Sequence, residues 1–110
     1  MIRENFPYAA IVEHCISEFP TEACGLVIQS CGKYRYIPCA NIKQSKDEFD
    51  ISCAERAKAE DEGNVIAIVH SHTDGNSTPS KWDYKAHEVD TEVDWLIIGL
   101  SSKECIPSIS

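Results

Sequence analysis

Two histidines one residue apart, His70 and His72, and an aspartate eleven residues further on, Asp83, are the side chains of this sequence best suited to chemistry. Neutral imidazoles and a carboxylate are ordinary ligands of zinc, and three of them leave one tetrahedral position for water, the pattern of a catalytic rather than a closed structural site. Singly, each residue has a plainer explanation. A histidine at a strand end is commonly solvated or hydrogen-bonded, and Ser80 and Asp83 have the spacing of a helix N-cap and its N3 acid. The whole string of His70, Ser71, His72, seven residues, Ser80, two residues and Asp83 arises by chance on the order of once in several thousand chains at ordinary residue usage. That rarity favours a motif over a coincidence.

The flanking sequence supplies elements able to hold these residues. Val65 to Val69 is an unbroken, mostly branched apolar run, expected to form a central strand covered on both faces. His70 and His72 stand where it ends, and the period-two alternation of a strand points both to one face. Thr73 to Pro79 is turn-rich. A helix is expected from about Ser80 to Asp90, with Trp82, Ala86 and Val89 as its buried stripe and Asp83 in its first turn. Val93 to Leu100 reads as a second buried strand.

Upstream, Tyr8, Ile11, Val12, Cys15, Ile16 and Phe19 form the stripe of an amphipathic helix, with Pro7 at its start and Pro20 at its end. Cys24 to Gln29 and Lys33 to Cys39 are expected to pair as a hairpin about Ser30 to Gly32. Ser45 to Glu48 reads as a polar loop and Phe49 to Ile51 as a short strand. Ser52 and Glu55 have capping-box spacing ahead of a second helix that Gly63 ends. The order implies an α/β (α+β) domain, a mixed sheet flanked by helices, in a single unit spanning 1–110.

Composition narrows the function. The formal charge of −8, from 18 acidic and 10 basic residues, argues against a nucleic-acid partner. No apolar run approaches the length of a membrane span, and Met1 to Asn5 lacks the character of a signal peptide, so the expected location is the cytoplasm. The six cysteines show no CxxC spacing and are expected to be reduced thiols.

The string His70-Ser71-His72, seven residues, Ser80, two residues, Asp83 resembles the motif of JAMM (MPN+) zinc metallopeptidases, whose fold is cytidine deaminase-like. The upstream acid of that motif matches Glu22 in Thr21-Glu22-Ala23-Cys24-Gly25-Leu26. The resemblance implies that His70, His72 and Asp83 bind Zn2+, that Glu22 is the general base, and that Ser80 stabilises the oxyanion. It extends through Tyr36-Ile37-Pro38-Cys39-Ala40-Asn41-Ile42, Phe49 with Ile51, Ala59-Glu60-Asp61 and Ile68-Val69-His70-Ser71-His72, which are similar to the N-terminal domains of the K-type tail assembly proteins of lambda-like phages. Those proteins usually continue into an NlpC/P60 cell-wall hydrolase domain, an activity not expected of residues 1–110.

The resemblance implies amide or isopeptide hydrolysis, with a protein or peptide as partner and a phage tail component among the candidates. Host cytoplasm, or association with the virion, is the matching location. Two other functions are compatible: trimming of a sulfur-carrier or ubiquitin-like tail, and a non-catalytic, zinc-binding assembly module. RadC-like proteins are set aside, because they read HNHPSG where this chain has His70-Ser71-His72-Thr73-Asp74-Gly75. Among the remaining candidates, His87 is expected on a helix surface and His14 in solvent, and Cys24 as buried packing near the metal rather than a nucleophile.

Overall fold

Branched and aliphatic residues build the two inner strands of the sheet, buried through their middles: Cys24–Ser30 (β1) and Asn64–His72 (β3). The computed structural model describes residues 5–43, 49–75, 77, 83, 93–103, 108 and 109. β1 pairs antiparallel with Lys33–Cys39 (β2), from Cys24 opposite Cys39 to Ser30 opposite Lys33. Cys31 and Gly32 close this hairpin with φ of 52° and 75°, the left-handed pair that matches strand twist. On its other side β1 pairs antiparallel with β3, and β3 pairs parallel with Asp94–Gly99 (β4). A two-residue strand, Ser108–Ile109 (β5), adds to β4, giving the order β2-β1-β3-β4-β5.

The register of β1 and β3 is not uniform. Val27 faces Ala67 while Ile28 faces Val65, so Ile66 is an extra residue, a bulge on β3. Alternation is regular beyond it. Ala67 and Val69 join one apolar cluster with Val27, Leu96 and Ile98, whereas Ile68 joins a second with Cys24, Leu26 and Ile28.

Each cluster is covered by one helix. Tyr8–Glu18 (α1) buries Ile11 and Cys15 in the first, and Tyr8, Ile16 and Phe19 pack at its margin as their spacing predicts. Cys53–Glu62 (α2) lies over the second and buries Ala59. Ser52 caps α2, its Oγ accepting from the Glu55 N–H at 3.1 Å. The Glu55 carboxylate does not complete the box. It turns to the Ala40 N–H at 3.1 Å, tying the first turn of α2 to the end of β2. Gly63 follows the helix because a side chain there would press against the Gln29 carbonyl.

Phe49 to Ile51 is not a strand. Its links to Asn41 and Ile42 are the Ile42 N–H to the Asp50 carbonyl at 3.1 Å and the Asp50 N–H to the Asn41 side chain at 3.1 Å, which do not make a ladder. The expected helix from Ser80 to Asp90, with Trp82, Ala86 and Val89, and the Ser45 to Glu48 loop lie outside the described residues. Asp83 alone of that helix is described, with helical backbone. Among the described residues no helix is long and apolar enough to cross a membrane, and Cys15, Cys24, Cys31, Cys39 and Cys53 are free thiols.

Candidate metal centre

β3 delivers its two histidines to the face of the sheet that carries α2, at the end where the parallel neighbours β3 and β4 both run out. Their Nε2 atoms are 3.3 Å apart. The Asp83 carboxylate reaches both, Oδ1 at 2.9 Å from His70 Nε2 and Oδ2 at 2.9 Å from His72 Nε2. Ligand atoms about 2.0–2.1 Å from a tetrahedral zinc ion are separated from one another by roughly 3.3 Å, so these donors are spaced as the shell of such an ion requires.

Glu22 joins them from the residues just before β1. It is 3% exposed, and one ligand atom each from Glu22, His70 and His72 lies within 4.8 Å of the others. Its approach is set by the β1–β3 pairing. The last ladder pair is Cys24 with His70, and the Ser71 N–H continues the pairing by donating to the Ala23 carbonyl at 2.9 Å. A cleft of about 360 Å³, lined by Thr21, Glu22, Cys39, Ala40 and Asn41 among others, opens beside the acid.

His70 has no exposed surface. The Phe49 ring stacks on its imidazole, with centroids 4.5 Å apart and planes 16° from parallel, and Trp95 stands edge-on at 6.2 Å. This burial lowers the His70 pKa, against the opposing pull of Asp83, and so favours the neutral ring that can ligate. Its Nδ1 is buried and has no hydrogen-bond partner among the described residues, which leaves Nε2 as the nitrogen aimed at the other donors.

The residues singled out in the sequence thus divide. Glu22, His70, His72 and Asp83 come together, while Ser80 and His87 lie outside the described residues. Cys24 is buried as expected, and burial pushes its thiol pKa up to about 12, so it stays protonated. His14 is not in solvent. Its side chain is 12% exposed, with Nδ1 2.7 Å from the Tyr36 hydroxyl and Nε2 3.5 Å from Glu18. The polar stripe of α1 places it at the helix flank, where a tyrosine 22 residues away in sequence closes over it. Phe49 and Trp95 are site neighbours that residue type and spacing did not point to. The register of Ile68 with Trp95 places that ring beside the histidines, and a register cannot be read from one strand alone.

The chain was compared with known proteins. A family model described as prokaryotic homologs of the JAB domain matches residues 7–106. Tail tip assembly protein K of Escherichia phage N15 is 43% identical over 90 residues, covering 81% of this chain and 37% of that protein. The CysO-cysteine peptidase of Mycobacterium tuberculosis H37Rv is 33% identical over 84 residues, covering 69% of this chain and 58% of the peptidase. The chain therefore spans a little over a third of the first relative and over half of the second. The solution structure of a Desulfitobacterium hafniense protein superimposes with a TM-score of 0.75 at 25% identity, covering 93% of this chain and 75% of that one. With the family model matching all but the first six and last four residues, this chain belongs to the prokaryotic JAB (JAMM/MPN) domain family.

Proposed function

We propose that residues 1–110 act as one zinc-dependent peptidase domain that hydrolyses an amide or isopeptide bond. The convergence of two Nε2 atoms and both Asp83 oxygens within 2.9–3.3 Å, with Glu22 alongside, carries this reading. His70, His72 and Asp83 would hold the ion, and their separations and the neutral state favoured at His70 fit it. Zinc bound there would polarise the scissile carbonyl and acidify a water molecule. Glu22, buried and within reach, takes the proton of the attacking water and returns it to the leaving amine, so the C–N bond breaks as the C–O bond forms. Ser80 is assigned the oxyanion by its place in the motif.

The names of the relatives support protein substrates. The phage protein shares the larger part of this chain, and a tail component is the preferred substrate; the mycobacterial peptidase supports the tail of a sulfur-carrier protein as the second candidate. A paired assay tests the reading. Glu22→Gln keeps the zinc content and lowers cleavage of a tail-tip protein or a sulfur-carrier conjugate by about a hundredfold to ten-thousandfold. Equal cleavage by wild type and variant would refute the assignment of the base, and zinc lost from the variant would make Glu22 a ligand. A non-catalytic zinc module would show no hydrolysis with either.

A further inference from the structure

The peptide bond that follows Glu22 lies just beyond the last strand pair, where neither β2 nor β3 supplies it with regular ladder partners. Two side chains hold it instead. The Glu22 carbonyl accepts from Asn41 Nδ2 at 2.8 Å, and the Ala23 N–H on the other edge of the same plane donates to Ser71 Oγ at 2.8 Å. We propose that Asn41 and Ser71 are positioning residues that clamp this plane and thereby fix Glu22 against the histidine pair. The proposal rests on the reading of Glu22 as general base.

Both jaws are themselves fixed. Asn41 Oδ1 accepts from the Lys43 and Asp50 N–H groups, each at 3.1 Å. The amide can face only one way, because reversing it would set an NH2 group against two N–H donors and an oxygen against a carbonyl. Asp50 adjoins Phe49, the ring stacked on His70, so one side chain ties the base and the cover of a ligand to the same loop. Ser71 stands between the two histidines, turned to the opposite face, and also gives its own N–H to the Ala23 carbonyl at 2.9 Å. With both edges of the plane held, the position of the Glu22 Cα and the direction of its Cα–C bond are fixed, and with them the point from which its side chain leaves the backbone. Backbone groups this close to a buried acid need partners in any fold. A clamp differs from mere satisfaction in that loosening it alters proton transfer before it alters stability.

Asn41→Asp makes that distinction, since it keeps the acceptor for Lys43 and Asp50 but sets an oxygen against the Glu22 carbonyl. Ser71→Ala opens the other jaw, and Ser71→Thr retains the hydroxyl. Zinc-loaded proteins are compared for cleavage of the substrate that wild type accepts, and for calorimetric binding of acetohydroxamate, which offers Glu22 a proton, and of azide, which offers none. The clamp predicts that Asn41→Asp and Ser71→Ala lower kcat by about tenfold or more at similar KM, weaken acetohydroxamate in step and leave azide and zinc content unchanged, with Ser71→Thr near wild type. Glu22→Gln should give the same pattern in larger measure. If Glu22→Gln shows that pattern and Asn41→Asp does not, the clamp is refuted while the base stands. If Glu22→Gln changes neither cleavage nor acetohydroxamate, the base is refuted and the clamp with it. Loss of zinc or of the fold in Asn41→Asp also overturns the proposal, by making the residue's role structural.

Discussion

Towards α1 the sheet presents Val27, Ala67, Val69, Leu96 and Ile98, none more than 1% exposed, and the helix answers with Ile11 and Cys15. Towards α2 the same strands present Cys24, Leu26, Ile28 and Ile68, and then, at the end of β3, His70 and His72. The first face is closed by aliphatic and aromatic packing, Phe6 and Tyr36 included. The second is closed by an alanine-rich helix that buries only Ala59 and, over His70, by the ring of Phe49 from a loop. His70 is as inaccessible as Val69, yet a stacked aromatic covers the plane of its ring and leaves Nε2 turned to the other donors. Alternation along a single strand therefore sets the two histidines apart from the aliphatic Ala67 and Val69, while Ser71, on the α1 side, holds the backbone beside Glu22.

Substitutions on the two faces test that separation. The largest effect is expected from His72→Ala, which should take zinc from about one ion per chain to a small fraction while leaving the melting temperature of the metal-free protein nearly unchanged; elemental analysis and a thermal scan read both. An undiminished zinc content would remove His72 from the ligand set. Leu96→Ala should do the reverse, costing about 2–5 kcal/mol in denaturant unfolding while the folded fraction still takes up its zinc. If zinc is lost in proportion, the two faces are not separable.

The smallest effect concerns His14, a half-buried polar residue of α1. Burial lowers its pKa more than Glu18 raises it, and the Tyr36 hydroxyl, which burial keeps protonated, lies in hydrogen-bond contact with its Nδ1. The unfolded chain then binds more protons than the folded one just below the ordinary value of 6.5, so stability is fully present above that pH and declines as pH falls through it. Unfolding midpoints between pH 5 and 8 should show His14→Gln with a shallower decline than wild type. Identical slopes would assign the acid sensitivity elsewhere.

Much of this arrangement could be read from the residues. Periodicity located α1, both strands of the hairpin, β3 and β4, and alternation put His70 and His72 on one face, because these features depend on neighbours in sequence. What escaped depends on distant partners. Phe49 to Ile51 alternates like a strand but is held by the Asn41 side chain. Glu55 has capping-box spacing, yet its carboxylate accepts from the Ala40 N–H, a residue fifteen positions away. His14 looks solvated on a helical wheel until Tyr36 covers it. The bulge at Ile66 and the short β5 follow from register, which a single strand does not encode.

Trp95 stands edge-on to both Phe49 and His70, at 6.2 Å from each. An indole that close to an imidazole has an emission that depends on the charge and occupancy of the ring beside it. The chain has two tryptophans, Trp82 and Trp95, and replacing Trp82 would leave a single fluorophore beside His70 of the candidate metal centre. A titration with zinc could then be followed in real time without a label.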